Sequence, residues 1–276
     1  MEKGKANKVK QQYYGYADQI WDKRFNSPFI IRRYIHRTQY YTVMKYVQEL
    51  NPDTVLDYGC GEGILSILTA ERGFKVVGVD ISKANIDAAI KAARGKGLEI
   101  DFLIGDGENL PFKDNSFDLV IASHVLEHLP AMKTGFKEIK RISNKAVISV
   151  PTCLSLSSFS ILGGGPPWVM TRRAPLTFLR GLLRVIKNVH RDGVMEKYAG
   201  KYEFPHPWFY PWKYKRKLEK NGFRILKVEA DSLCPPYISW FFPQTIELFR
   251  FMDRFKDKSL LNYFGYGTTF VVEAKK

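Results

Sequence analysis

Between residues 54 and 150, short β-branched runs alternate with helical stretches, a pattern that specifies a parallel sheet with helices crossing between its strands. Five runs read as strands: Thr54–Asp57, Lys75–Asp80, Ile100–Ile104, Phe117–Ala122 and Ala146–Val150. Helices fit between them over Gly63–Arg72, Lys83–Arg94 and Met132–Ile142. Gly73 and Gly95 stop the first two, and Ser82 is placed to cap the second. The rhythm resumes late in the chain, with a helix over Trp212–Asn221 and strands over Phe223–Val228 and Tyr266–Val272.

Residues 151–211 break the pattern and are too long for a connection between strands, so they read as an insertion with structure of its own. Within it Leu179, Leu182, Leu183, Ile186 and Val189 form one helical stripe. Arg180, Arg184, Lys187 and Arg191 form another beside it, which makes a basic amphipathic helix. With 276 residues, 45% of them hydrophobic, the chain holds one large domain or one plus an elaboration. The reading divides it into an N-terminal arm (1–50), an α/β core (51–150), the insertion (151–211) and a C-terminal completion of the sheet (212–276).

The 43 Lys and Arg against 28 Asp and Glu give a net charge of +15, unevenly spread. Residues 1–50 carry +6, residues 51–150 carry −2, and residues 171–227 carry +11. An anionic partner would therefore meet the arm and the late basic segment. The three cysteines, Cys60, Cys153 and Cys234, are far apart and lack the paired spacings of a zinc site or a disulfide framework. With no apolar h-region after the charged Met1–Lys10, they predict free thiols and a reducing cytoplasm. The uncharged stretch Ala146–Thr171 contains Pro151, Gly163-Gly164-Gly165 and Pro166-Pro167, so it is not read as a membrane span. The sequence does not specify an oligomeric state.

The motif that carries chemistry is Val55-Leu-Asp-Tyr-Gly-Cys-Gly-Glu-Gly63, a strand end, an acid and spaced glycines directly before a helix. Glycines at such a turn let a ligand approach the backbone closely. A nicotinamide fingerprint would need its third glycine where Ile64 stands. Asp57 at the end of the first strand suits a ligand with a positive centre or ammonium group. Asp80, ending the second strand, is placed to accept both hydroxyls of a ribose.

These residues, followed by Gly105–Asp118 and by Val120-Ile-Ala-Ser-His-Val-Leu-Glu-His-Leu129, resemble the class I S-adenosylmethionine-dependent methyltransferases of type 11, the ubiquinone/menaquinone-methyltransferase-like group. The resemblance covers roughly residues 54–150. It implies an α/β fold with a seven-stranded, mostly parallel Rossmann-like sheet that binds S-adenosylmethionine along the strand ends, with the helical and aromatic insertion covering the active site. It also implies that Asp57, Gly59, Cys60 and Gly61 hold the methionine end, Asp80 the ribose, and Ile81, Asp106, Gly107 and Glu108 the adenine. Ser123 and His124 would face the sulfonium, and the N-terminal segment bearing Tyr14 would cover the cofactor.

His124 and His206 are the candidate general bases for an acceptor hydroxyl. His124 and His128, with Glu127 between them, have helical metal-ligand spacing, but no third ligand is near in sequence, so no metal is expected. The Pro235-Pro236-Tyr237 triplet looks like a base-amine recognition motif, but it stands near the sixth strand, not after the fourth. Around the expected acceptor entrance the chain is basic and aromatic, as in Pro235–Pro243 and Phe249–Met252. That suits an anionic or amphipathic small-molecule acceptor, lipid-like or isoprenoid-like, with peripheral membrane contact. RNA is the rival acceptor, because a basic surface interleaved with aromatics is its footprint too. A third reading is a cofactor-binding regulator without catalysis.

Overall fold

The computed structural model of the protein describes Lys10, Gln11, Tyr13, residues 21–167, 169–196, 206–233, Tyr237, 245–258 and 261–275. The elements run α1 (Ile30–Leu50), β1 (Thr54–Tyr58), α2 (Ile64–Ala70), β2 (Lys75–Asp80), α3 (Lys83–Arg94), β3 (Asp101–Ile104), β4 (Leu119–Ser123), α4 (Met132–Ile142) and β5 (Lys145–Pro151). They continue with α5 (Leu156–Leu162), α6 (Ala174–Lys187), β6 (Gly193–Glu196), β7 (His206–Phe209), α7 (Pro211–Lys220), β8 (Phe223–Ala230), α8 (Thr245–Met252) and β9 (Gly267–Ala274).

Seven strands form the central sheet in the order β3-β2-β1-β4-β5-β9-β8. The first five pair in parallel, while β9 runs antiparallel to both β5 and β8. This is the seven-stranded, mostly parallel methyltransferase sheet that the resemblance implies. Both faces of its inner strands β1, β4 and β5 are buried, and these strands are accordingly apolar almost throughout rather than alternating, while the edge strands β3 and β8 are partly exposed. In β4, Leu119 and Ile121 face the cluster that includes Val43, Met44 and Val47 of α1, and Val120 and Ala122 face the opposite one with Phe136 and Ile139 of α4. The long helix at 30–50 thus forms part of the core of one sheet face. Ser82 caps α3 as its position suggests, its hydroxyl accepting the Asn85 N–H at 3.2 Å.

Inside the insertion, α5 and α6 cross with their backbones almost in contact. A Cβ built on Gly181 would lie 1.7 Å from the Phe159 carbonyl oxygen, and one on Gly163 would lie 1.7 Å from that of Thr177. The face α6 buries is centred on Ala174, Thr177, Gly181 and Val185; of the leucine stripe legible in the sequence only Leu182 packs, in part, against the core cluster, while Leu179, Leu183, Ile186 and Val189 are exposed. Arg184 also leaves the basic stripe, because its guanidinium donates to the carbonyl oxygens of Leu162 and Met195. No helix among the described residues is long and apolar enough to cross a membrane. Cys60 and Cys153 are free and buried, whereas Cys234 and the prolines 235 and 236 lie outside the described residues.

Candidate active site

The strand order reverses between β1 and β4, which opens a crevice at the carboxyl ends of the parallel strands where α/β sheets bind ligands. A cavity of about 280 Å³ lies there. Asp57, Gly59, Cys60 and Gly61 line it from the end of β1, Asp80 and Ile81 from β2, and Ser123 and His124 from β4. Asp106 and Gly107 close one side, and His206 reaches in from β7. Of the residues expected at the site, Glu108 stands behind the wall, and Tyr14 lies outside the described residues.

The glycine loop is locked to the sheet. The N–H groups of Gly59 and Cys60 both donate to the Val79 carbonyl, at 2.7 and 2.9 Å, and the Gly61 N–H donates to Asp80 Oδ2 at 2.9 Å. Gly59 sits at φ +72°, and a Cβ on it would fall 2.2 Å from Val125 Cγ2, so no other residue fits this turn without displacement. Asp80 is held through its other oxygen by the Ser82 N–H at 2.8 Å and the Asn85 amide at 3.3 Å. Each carboxylate oxygen retains lone pairs for further donors. Burial raises the Asp80 pKa, against the pull of those backbone donors.

Asp57 is almost completely buried, and Ser66 Oγ donates to its Oδ2 at 2.6 Å. Burial pushes its carboxyl up to about 7, with the Ser66 bond opposing. A buried acid with a single side-chain donor is completed by a cationic ligand group. Cys60 is no nucleophile here, since burial drives its thiol well above the ordinary value.

Beside Asp106 the structure adds a residue that the sequence did not single out. Lys10 Nζ lies 2.5 Å from Asp106 Oδ2 and 2.6 Å from Glu108 Oε2. Burial works against its charge, but the two carboxylates prevail and raise its pKa. Glu108 therefore acts on the site through the Lys10 and Ala131 backbone contacts, its Oε1 accepting the Ala131 N–H at 3.0 Å. Tyr13, the neighbour of Tyr14, also lines the cavity, with its hydroxyl 2.9 Å from His128 Nδ1.

The far half of the cavity is a buried group of imidazoles and acids. His124 has φ +51°, a left-handed conformation uncommon outside glycine. Its Nδ1 lies 3.8 Å from Glu127 Oε1 and its Nε2 3.8 Å from Asp231 Oδ2. Asp231 is itself fixed by the hydroxyls of Ser149 and Thr269, at 3.0 and 2.6 Å. His206 Nε2 approaches Glu127 Oε1 at 3.9 Å. Burial, with His128 and His124 nearby, holds the His206 pKa well below the ordinary imidazole value. Burial likewise pushes Glu127 up to about 7, with His124 pulling the other way. Near neutral pH, His206 is therefore a neutral imidazole and Glu127 is poised between its two forms.

The fold does not complete the His124/His128 pair but assembles a different trio. Ligand atoms of Glu127, His128 and His206 lie within 4.8 Å of one another. The His128 and His206 rings are stacked at 4.6 Å and 27°, and His128 Nδ1 already lies 2.9 Å from the Tyr13 hydroxyl. The buried carboxyl and the neutral imidazole of this cluster can hold or pass a proton. Glu127 could have been found from its place three residues after His124. Asp231 arrives from the far side of the sheet and left no local signal.

Residues 56–147 match the family model described as a methyltransferase domain, of type 11. Ubiquinone biosynthesis O-methyltransferase of Maricaulis maris is 34% identical over 119 residues, covering 42% of this chain and 47% of that protein. Norajmaline N-methyltransferase of Rauvolfia serpentina is 34% identical over 95 residues, covering 33% and 32%. The chain thus spans less than half the length of these curated relatives. Among solved structures, the PH0226 protein of Pyrococcus horikoshii aligns over 95% of this chain and 100% of its own, with a TM-score of 0.57 at 21% identity, which is a likeness of fold.

Residues 56–147 of this chain are thus a methyltransferase domain of type 11. S-adenosylmethionine is the cofactor of such domains, and the cavity has features that fit it: the buried acid Asp57, a second acid, Asp80, at the end of β2, and a glycine turn that bars any Cβ.

Proposed function

We propose that the protein transfers a methyl group from S-adenosylmethionine to a hydroxyl of an amphipathic small-molecule acceptor. The observation that carries the reading is the division of one cavity into two chemistries. Asp57, the loop at 59–61, Asp80, Ile81, Asp106 and Gly107 form the cofactor half. Ser123 and His124 stand at the junction, and Glu127, His128 and His206 form the acceptor half. When bound, the cofactor supplies a methyl already activated on a sulfonium. What remains for the protein is to aim the acceptor oxygen, exclude water and remove its proton.

His124 and His206 are the proton acceptors in this reading. His206 is kept neutral by burial and so has a lone pair at neutral pH, and Asp231 stabilises the imidazolium that forms if His124 takes the proton. Of the insertion, His206 alone among the described residues lines the cavity, so a covering role for 151–211 is carried by that β7 contact. Lys10 and Tyr13, which line the cavity, support a covering role for the N-terminal arm. The name of the Maricaulis relative, an O-methyltransferase, agrees with a hydroxyl acceptor, whereas that of the Rauvolfia relative, an N-methyltransferase, would suit an amine.

The test is incubation of methyl-labelled S-adenosylmethionine with cell lysate and the purified protein, followed by separation into lipid, RNA and protein. Label in the organic-soluble fraction, lost in the His124→Ala and His206→Ala variants, is expected. Label in RNA or protein would overturn the acceptor class.

A further inference from the structure

We propose that the outer face of α6 is a docking surface for an anionic lipid bilayer. A helix of a globular protein turns its apolar stripe to the core and its charges to water. In α6 the order is inverted. The core receives Ala174, Thr177, Gly181 and Val185, with Phe178 and Leu182 packed in part at its margin, and the Gly181 crossing brings α6 so close to α5 that no large side chain fits at that point. Leu176, Leu179, Leu183, Ile186 and the following Val189 are left between 46% and 60% exposed. At 100° per residue, positions 176, 179, 183 and 186 fall on one stripe about a quarter-turn wide, opposite the buried face.

The charge around that stripe selects the occupant. Arg172, Arg173, Arg180, Lys187 and Arg191 are exposed, and none of them takes part in an ion pair among the described residues. Between Glu138 and Asp192 the chain has no acidic residue at all. Arg180 and Lys187 flank the leucine stripe on one side, where their stems can lie along the apolar surface and their heads reach lipid phosphates. A protein partner could cover the leucines. An uninterrupted excess of cations beside an apolar stripe instead complements the interfacial zone of an anionic leaflet, which offers acyl chains below and negative headgroups above.

The surface is also tied to the acceptor half of the cavity. Val185, on the buried side of α6, packs in one cluster with Trp208 of β7, and its carbonyl accepts the Tyr210 hydroxyl at 2.5 Å. Trp208 is two residues from His206. A bilayer seated on the outer face of α6 would therefore lie one helix away from the element that carries the acceptor wall. The inference rests on the exposure and charge of α6 and not on the acceptor reading.

The experiment is co-sedimentation of the full chain with vesicles of phosphatidylcholine alone or with about one third phosphatidylglycerol. Two variants, Leu179→Ser/Leu183→Ser/Ile186→Ser and Arg180→Glu/Lys187→Glu, are compared with the parent. Thermal melting and S-adenosylhomocysteine affinity serve as controls, because these side chains lie outside both the core and the cofactor half. The parent should pellet with anionic vesicles and bind neutral ones at least about tenfold more weakly, and each variant should lose at least about tenfold of the anionic binding with its controls unchanged. Parent protein that stays in the supernatant would overturn the proposal. So would a serine variant that binds as well as the parent, or one whose only change is loss of a self-associated form in velocity sedimentation. Failure here, with methylation intact, would leave the catalytic reading standing.

Discussion

Asp80 Oδ2 accepts the backbone N–H of Gly61 at 2.9 Å, so the acid that ends β2 and the glycine turn that follows β1 are one hydrogen-bonded unit. Asp80→Ala removes a ligand acceptor and also unties the loop. It should weaken binding of S-adenosylhomocysteine by about 1–3 kcal/mol, the scale of a hydrogen bond to a charged group. Titration calorimetry on both proteins checks this, and equal affinities would take Asp80 out of the site.

Gly59→Ala probes the turn itself. The methyl would meet Val125 Cγ2 at 2.2 Å on a backbone at φ +72°, so strain and displacement add. A loss of about 1–3 kcal/mol in urea denaturation is expected, together with weaker cofactor binding. A variant as stable as the parent would mean that the turn has room the geometry denies.

The pH dependence of cofactor binding follows from Asp57. Its folded pKa, up to about 7, lies above the unfolded value near 4, so its contribution to stability is present below about pH 4 and lost as pH rises through about 7. A bound ammonium group favours the ionised carboxylate. Affinity for S-adenosylhomocysteine should therefore rise between about pH 5 and about pH 8, with proton release on binding, and Asp57→Asn should flatten the profile. An affinity in the parent that is independent of pH across this range would contradict the role given to Asp57.

Burial makes Cys60 and Cys153 poor nucleophiles, raising the Cys153 thiol to about 12 and Cys60 well above its ordinary value. Neither should react with iodoacetamide at neutral pH until the chain is unfolded, when both should. Peptide mass mapping of the native, alkylated protein reads this directly, and rapid labelling of either would show that it is reachable.

The strands of the core were legible because a sheet buried on both faces demands continuous apolar runs. β2 was placed residue for residue, and β1, β4 and β5 to within two residues at either end. The cofactor half was legible for a related reason, since Asp57, the glycines and Asp80 are fixed by the strand ends that precede them. Helix α1 was read only as part of an arm, because its buried side mixes His36, Gln39 and Thr42 with its apolar residues and blurs the periodicity. The α6 face was misleading for the opposite reason. Its apolar stripe is clear, but the backbone crossing at Gly163 and Gly181 seats the helix on small residues. Lys10 and Asp231 join the site across 96 and 107 residues of chain, to Asp106 and His124, and pairings of that range leave no local pattern.

The most direct test of the account is titration calorimetry of the purified chain with S-adenosylmethionine, S-adenosylhomocysteine and NAD. Saturable one-site binding of the first two, lost in the Asp57→Ala/Asp80→Ala double variant, and none of NAD, is the predicted result. Binding of NAD, or cofactor affinity undiminished in the double variant, would contradict it.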